Sequence, residues 1–499
     1  TRVEPWESLL DTLILFKDKL AVSLSDEQEN MYKELVSLLS KSDFAFRFRR
    51  IDSDVNKGDF RIPAEVKMQE VEKKYEAIAE EFVCNKLYTK ELMAQLYASQ
   101  CITVRPFGKV LAEKMSEDER AVFIKDSVDI LNGREHLQYE IMVDFAAALN
   151  NAEFDKLFDE LAKLEDKRIL FAIVARRSHK FNNPYTDLLI QMVEKGEASV
   201  DCFINFWFNC GFMYMEDNDM AEWLGRVGRL ENGKAAVLHI LQSMTMGTVG
   251  NDKPKTIAMA VDLVMDYDVD LQGLMRHYQY WNVVRALLGT GSYPQMAQKV
   301  HGIILKYLTS VDDLAINNYE INETYRLLLG RYFDEIWPEL SKALLSDGDD
   351  VWTYFKLKDI LGSMIGGAYN EIGLLFVFDN TEALLEWCRQ NPAKAPARLI
   401  DMAPVFGEDG AFSPLVTSIV NEFGEQPNVL EALDHNMSCF GWYGSVIPLY
   451  SKQINALEPF TKDSRLLVKT WAEKRTRSLK IEIEMEKNRE QEFGFMYGL

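Results

Sequence analysis

"LLIQMVEKGEASVDCFI" (Leu188–Ile204), "AVDLVMDYDVDLQGLM" (Ala260–Met275) and "IILKYLTSVDDLAI" (Ile303–Ile316) carry one pattern at three places in the chain. In each, an apolar helical run enters a Val-Asp turn that caps the next helix. The valines are Val200, Val269 and Val311, so the steps are 69 and 42 residues. Two units of about 35 and one of about 42 fit the period of helical-repeat proteins, roughly 34–47 residues. A single helix pair cannot bury its own apolar face, so it stacks on its neighbours and the core is built from neighbour contacts. The expected fold is therefore all-α: an α-solenoid of degenerate HEAT/TPR-like helix pairs, closed by a polar C-terminal capping helix.

The rest of the chain reads the same way. In "PWESLLDTLILFKDKL" the residues Trp6, Leu9, Leu10, Leu13, Phe16 and Leu20 fall three or four apart. In "SLSDEQENMYKELVSLLSK", Ser25 or Asp26 precedes the first turn as an N-cap. The exception is "SDFAFRFRRIDSDVNKGDFRIP" (Ser42–Pro63), which shows no helical period and reads as a short β-hairpin or an ordered loop. The expected organisation is an N-terminal helical region over 1–114 with an irregular insert near 42–63. A degenerate repeat array follows over 115–330, then C-terminal repeats and cap over 331–499.

Composition supports helices and narrows function. Among 499 residues, Pro is 14 and Gly 27, few enough breakers to favour helix over hairpin. The net charge of −22 repels phosphates and acidic lipid, arguing against broad nucleic-acid binding and a polybasic membrane role. Six scattered cysteines without a C-x-x-C pair suit a reducing cytoplasm. The longest apolar stretch, "SVDCFINFWFNCGFMYM" (Ser199–Met215), is interrupted by Asp201, Asn205 and Asn209 and reads as a buried helix. The opening "TRVEPWESLL" reads as cut from a longer chain.

Motifs for chemistry are missing from the sequence. "MGTVGNDKPK" and "GTGSYP" lack the spacing of a phosphate loop or dinucleotide fingerprint. Asp434, His435 and Cys439 have no second ligand pair for zinc. "GWYGS" (Gly441–Ser445) does not match G-x-S-x-G. No catalytic, cofactor-binding or metal-binding residue is assigned, and no cofactor is expected. Two basic islands stand out: Arg47, Arg49 and Arg50 in "FRFRR", and Arg176, Arg177, His179 and Lys180 in "ARRSHKFNNPY". An extended segment would put Arg47 and Arg49 on one face. Either island is a candidate clasp for an acidic partner surface or for another domain of the same protein.

The chain ends on "TKDSRLLVKTWAEKRTRSLKIEIEMEKNREQEFG" (Thr461–Gly494). Ser464, Val468, Trp471, Ala472, Arg475 and Leu479 form a helical stripe with Trp471 as its anchor, and from Glu486 onward nearly every residue is polar. An end repeat has no outer neighbour and must show water a polar face. With the preceding "FGWYGSVIPLYSKQINALEPF" (Phe440–Phe460), this ending resembles the C-terminus of helical-repeat regions in bacterial antiphage proteins. These include STAND-type NTPases of AVAST systems and related multidomain defence proteins. "TEALLEWCRQNPAKAPARLIDMAPVFG" (Thr381–Gly407) is similar to the helix pair before that ending, and Ala152–Thr309 resembles their repeats in style. The resemblance implies a non-catalytic module that senses a phage protein. The alternative it implies is a structural or oligomerising scaffold for effector or NTPase domains of the same or a partner protein.

Overall fold

A computed structural model describes residues 12–13, 24–39, 44–56, 64–99, 104–132, 139–177, 184–208, 216–246, 253–267, 277–310, 319–366, 369–407, 410–438 and 444–497. Over these residues the protein is all-α, apart from one antiparallel pair of short strands, β1 (Met364–Gly366) and β2 (Tyr369–Glu371). The chain forms two compact units, Thr1–Ile240 and Leu241–Leu499. The division falls inside the stretch expected as one repeat array.

The first unit contains α1 (Asp26–Leu39), α2 (Phe44–Asn56), α3 (Ala64–Cys84), α4 (Lys90–Tyr97), α5 (Arg105–Lys114) and α6 (Glu117–Leu131). It continues with α7 (Glu140–Ala148), α8 (Asn151–Leu161), α9 (Arg168–Arg177), α10 (Pro184–Glu194), α11 (Asn205–Phe208) and α12 (Asp217–Gly228). The division then falls within α13 (Gly233–Met246). Helices pack on their next-but-one neighbours: α3 on α5, α5 on α7, α7 on α9 and α9 on α11, with a second row running α2, α4, α6, α8. Two rows of alternate helices are what a stack of helix pairs produces, because each pair buries its apolar stripe on the pair before it.

Local chemistry sets the helix starts. Ser116 accepts from the Glu119 backbone N–H at 3.3 Å while Glu119 accepts from the Ser116 N–H at 2.9 Å, closing a capping box at α6. Asn150 and Glu153 repeat it at α8. Ser25 takes the N-cap position before α1, exchanging hydrogen bonds with Gln28.

The region near 42–63 corrects the sequence reading. Its described part is helical from Phe44 to Asn56, with neither hairpin nor loop. "FAFRFRR" alternates like a strand, yet Phe44, Phe48 and Ile51 also lie at i, i+4 and i+7, and tertiary packing selects that period. Phe44 meets Phe82 at 5.2 Å between ring centroids, and Phe48 meets Phe107 edge-on at 4.9 Å. Each buried phenyl contributes roughly 1.5–3 kcal/mol of burial.

The apolar stretch after Ser199 also differs. It begins as a 3₁₀ turn over Val200–Ile204, capped by Ser199, and then enters α11. Phe203 and Phe206 are buried against Trp223, with ring centroids 5.5 and 4.9 Å apart, so the aromatics fill core as expected. The Val-Asp turns at Val269 and Val311 lie outside the described residues, as do Asn209 to Met215. None of the described helices is long and apolar enough to cross a membrane.

The second unit contains α14 (Pro254–Asp266), α15 (Tyr278–Leu288), α16 (Pro294–Ser310), α17 (Tyr319–Arg331), α18 (Phe333–Ala343) and α19 (Val351–Leu361). After the strands come α20 (Thr381–Gln390), α21 (Ala395–Met402), α22 (Pro414–Phe423), α23 (Pro427–Ser438), α24 (Ile447–Thr461) and α25 (Leu466–Tyr497). Next-but-one packing recurs: α14 on α16, α15 on α17, α16 on α18, α21 on α23 and α23 on α25. "GTGSYP" forms the turn between α15 and α16, where Gly291 takes φ +77°, a conformation that disfavours a side chain. The final helix buries Val468, Ala472 and Leu479, and Arg475 Nε lies 3.2 Å from Asp434. Its later turns carry charged i, i+3 pairs, Glu484–Lys487 and Glu486–Arg489.

Charges follow the same stacking. Ion pairs between successive layers join residues from 32 apart (Asp144–Arg176) to 47 apart (Asp347–Lys394). Arg120–Glu153, Arg285–Glu320 and Arg389–Glu422 lie between those limits. That separation is about one helix pair, so the polar side chains report the same repeat as the apolar ones.

Candidate protein-interaction surfaces

The two basic islands are largely engaged inside the first unit. Because α2 is helical, Arg47 and Arg49 lie on different sides of it, since residues two apart are rotated about 200°. Arg47 forms a bidentate pair with Glu81 of α3, its Nη1 donating at 2.7 Å, and this hydrogen bond lowers the Glu81 pKa. Arg50 sits 5.9 Å from the Phe46 ring centroid, and Arg49 is half-buried.

Arg176 donates to Asp144 at 2.8 Å. Arg177 donates to the carbonyls of Ala146 at 2.9 Å and Leu149 at 2.7 Å, and to Asn151 Oδ1 at 2.8 Å. Its guanidinium also lies 4.3 Å from the Phe154 ring centroid. It therefore adds a charged donor to two carbonyls at the C-terminal end of α7, of which Ala146 also accepts from the Leu149 N–H at 3.3 Å. His179 and Lys180 lie outside the described residues. The structure brings Arg176 and Arg177 to the α7–α9 contact, and Arg47 to the α2–α3 contact.

A different surface appears in the second unit. Helix α19, "VWTYFKLKDIL", carries an inverted pattern. Lys356 is buried and donates to the Leu308 carbonyl at 2.7 Å, while Trp352 and Phe355 are 53% and 43% exposed. The two exposed rings are neighbours, with centroids 5.8 Å apart. Phe355 forms one wall of an open cleft of about 330 Å³ between α19, α21 and α23. Ala393, Ala397 and Ala432 contribute short side chains to the lining, which leaves the space open.

The polar groups of the cleft are ordered by pairs. Lys394 Nζ is 2.7 Å from Asp347 Oδ2, and this contact holds the Asp347 pKa below the usual carboxylate range. Lys358 Nζ and the Tyr354 hydroxyl both reach Asp401 Oδ2 at 2.7 Å. Burial, then the Asp401 charge, pushes the Tyr354 phenol pKa upward, so it stays a donor. Arg398 lies over the Tyr354 ring, 3.6 Å from its centroid, and donates to the Ser346 carbonyl at 3.3 Å. Among the described residues no carboxylate lies within ion-pair distance of Arg398.

No protein-family model and no curated protein matches this chain. Burial raises the thiol of Cys202 to about 11 and that of Cys388 to about 12, away from thiolate reactivity. Asp434 of the D-H-x-x-x-C stretch pairs with Arg475, and Cys439 lies outside the described residues. Among the described residues no cluster of three or more His, Cys, Asp or Glu is arranged to hold a metal ion.

The cleft was missed in the sequence because its residues come from helices some 40 positions apart. The available signal was local: Trp352 and Phe355 fall off the buried stripe of α19, where a Lys falls on it.

Proposed function

We propose that this chain is a non-catalytic protein-binding module of a bacterial antiphage defence protein, and that its partner is a phage protein. The protein-binding part rests on one observation: an exposed Trp352–Phe355 pair of which Phe355 lines an open cleft. Large aromatics and arginine dominate binding energy at protein interfaces, where they dock into pockets on the partner. A folded stack with paired internal charges supplies a rigid platform for them. The antiphage context rests on the sequence resemblance of Thr381–Gly407 and Phe440–Gly494.

The test is pairwise binding of the purified chain to individual phage structural proteins. A partner should bind in fixed stoichiometry, and Trp352→Ala should weaken it. A complete panel without a partner, while the parent system still defends against the same phages, would remove the sensing role. The scaffold reading has its own motivation, since Leu466 is 78% and Leu467 is 39% exposed at the start of α25. It requires self-association or binding to an effector or NTPase domain. Light scattering distinguishes it, because a sensing module remains monomeric without its phage partner.

A further inference from the structure

Arg398 differs from the other cations around its cleft. Lys394 is matched by Asp347, and Lys358 by Asp401, which also accepts from Tyr354. The two carboxylates in the lining are thus already committed to partners inside the protein. The guanidinium of Arg398 is half-buried and held face-on against Tyr354, with one donor spent on the Ser346 carbonyl. Stacking fixes the plane of the guanidinium, and its remaining N–H edge is a fork that fits a carboxylate. Little side-chain entropy is left to lose when such a carboxylate arrives.

We infer that this cleft binds a linear peptide segment by one acidic side chain, an Asp or Glu held by Arg398, with a neighbouring apolar side chain laid against Phe355 and Ala397. The inference rests on the protein-binding reading and names the chemistry that this surface selects. The charge at Arg398 supplies the complementarity. The apolar wall explains why the ligand is a peptide rather than a free anion, since Phe355 and the three alanines offer contact only to carbon. The cleft is open, so the peptide chain passes across it and need not end there. A basic segment finds no free carboxylate in the lining. A phosphate group calls for more than one available cation, and Lys394 is already paired.

The experiment uses the full chain and two labelled peptides, Gly-Leu-Glu-Phe-Gly-Ser and the same peptide with Gln for Glu, followed by fluorescence anisotropy. The Glu peptide should bind at least about tenfold more tightly than the Gln peptide. Arg398→Met should abolish that discrimination, and Arg398→Lys should restore part of it, which separates lost recognition from lost folding. Thermal melts of both variants provide the folding control. Equal binding of the two peptides overturns the inference, as does the absence of binding at about 1 mM. So does unchanged discrimination in Arg398→Met, or inorganic phosphate competing better than the unlabelled Glu peptide. A phage partner that binds Arg398→Met as tightly as the unmodified chain would sink this assignment and leave the protein-binding reading intact. Peptide discrimination with no phage partner in the panel would uphold this assignment and remove the phage-sensing role.

Discussion

Gly108 of α5 faces the backbone carbonyl of Ile141 in α7 so closely that a β-carbon at this position would overlap the carbonyl oxygen. It would also lie 3.1 Å from the Phe145 amide nitrogen. These obstacles are backbone atoms and cannot rotate away. The α5–α7 crossing is therefore set by the absence of a side chain at Gly108.

Gly108→Ala should separate the two helices despite its better helix propensity. The expected cost is about 2–3 kcal/mol, the scale of overpacking, against a propensity gain of about 1. A fall of several degrees in the melting temperature by circular dichroism checks it. An unchanged or raised melting temperature contradicts the backbone contact.

Arg177 and Arg47 should respond differently to truncation. Arg177→Met leaves the Ala146 and Leu149 carbonyls without their charged donor, at about 2 kcal/mol. Arg47→Met removes a solvent-exposed pair with Glu81, worth at most about 1 kcal/mol. Urea denaturation of the two variants gives the comparison, and equal losses would mean that Arg177 does not cap α7.

His301 is fully buried, its Nδ1 3.4 Å from the Tyr325 hydroxyl, and burial lowers its pKa to about 4. The unfolded chain takes up this proton near pH 6.5 and the folded chain only near pH 4. Stability from this group is complete above pH 6.5 and is lost as the pH falls towards 4, by roughly 3 kcal/mol. Burial lowers His239 as well, so it adds to acid sensitivity in the same direction. His301→Phe should flatten the fall in melting temperature between pH 6.5 and 4.5. A slope identical to that of the unmodified chain would show that His301 is not buried neutral.

Leu479 and Ile481 stand two apart in α25, one fully buried and the other 56% exposed. Leu479→Ala should cost about 2–4 kcal/mol and Ile481→Ala less than about 0.5. Thermal melts of the pair test the register of the last helix, and the reverse order would rotate it.

Trp352→Ala should leave stability within about 0.5 kcal/mol, because its ring is largely solvated. Titration with a phage partner should show at least about tenfold weaker binding. A loss of stability without a loss of binding would identify Trp352 as part of the core.

The amino-acid order alone determined the helical class. Few Gly and Pro, apolar residues at i, i+3 and i+4, and caps such as Ser25 are local, and helices form from local hydrogen bonds. It also determined which face of α25 is buried around Val468 and Ala472. Tertiary structure alone decided between strand and helix at Phe44–Asn56, because "FAFRFRR" satisfies either period until Phe82 and Phe107 offer a surface. It also decided the use of the arginines. Arg177 reads as a surface charge in sequence and caps a neighbouring helix in space, while Arg398 lies unremarked in "AKAPARLI" and stands over Tyr354, which comes from a helix about one repeat earlier. Such partners are some 30–50 residues away in the chain, and no local period encodes them. Their meeting depends on how one helix pair seats on the next, which is settled only when the apolar faces close together.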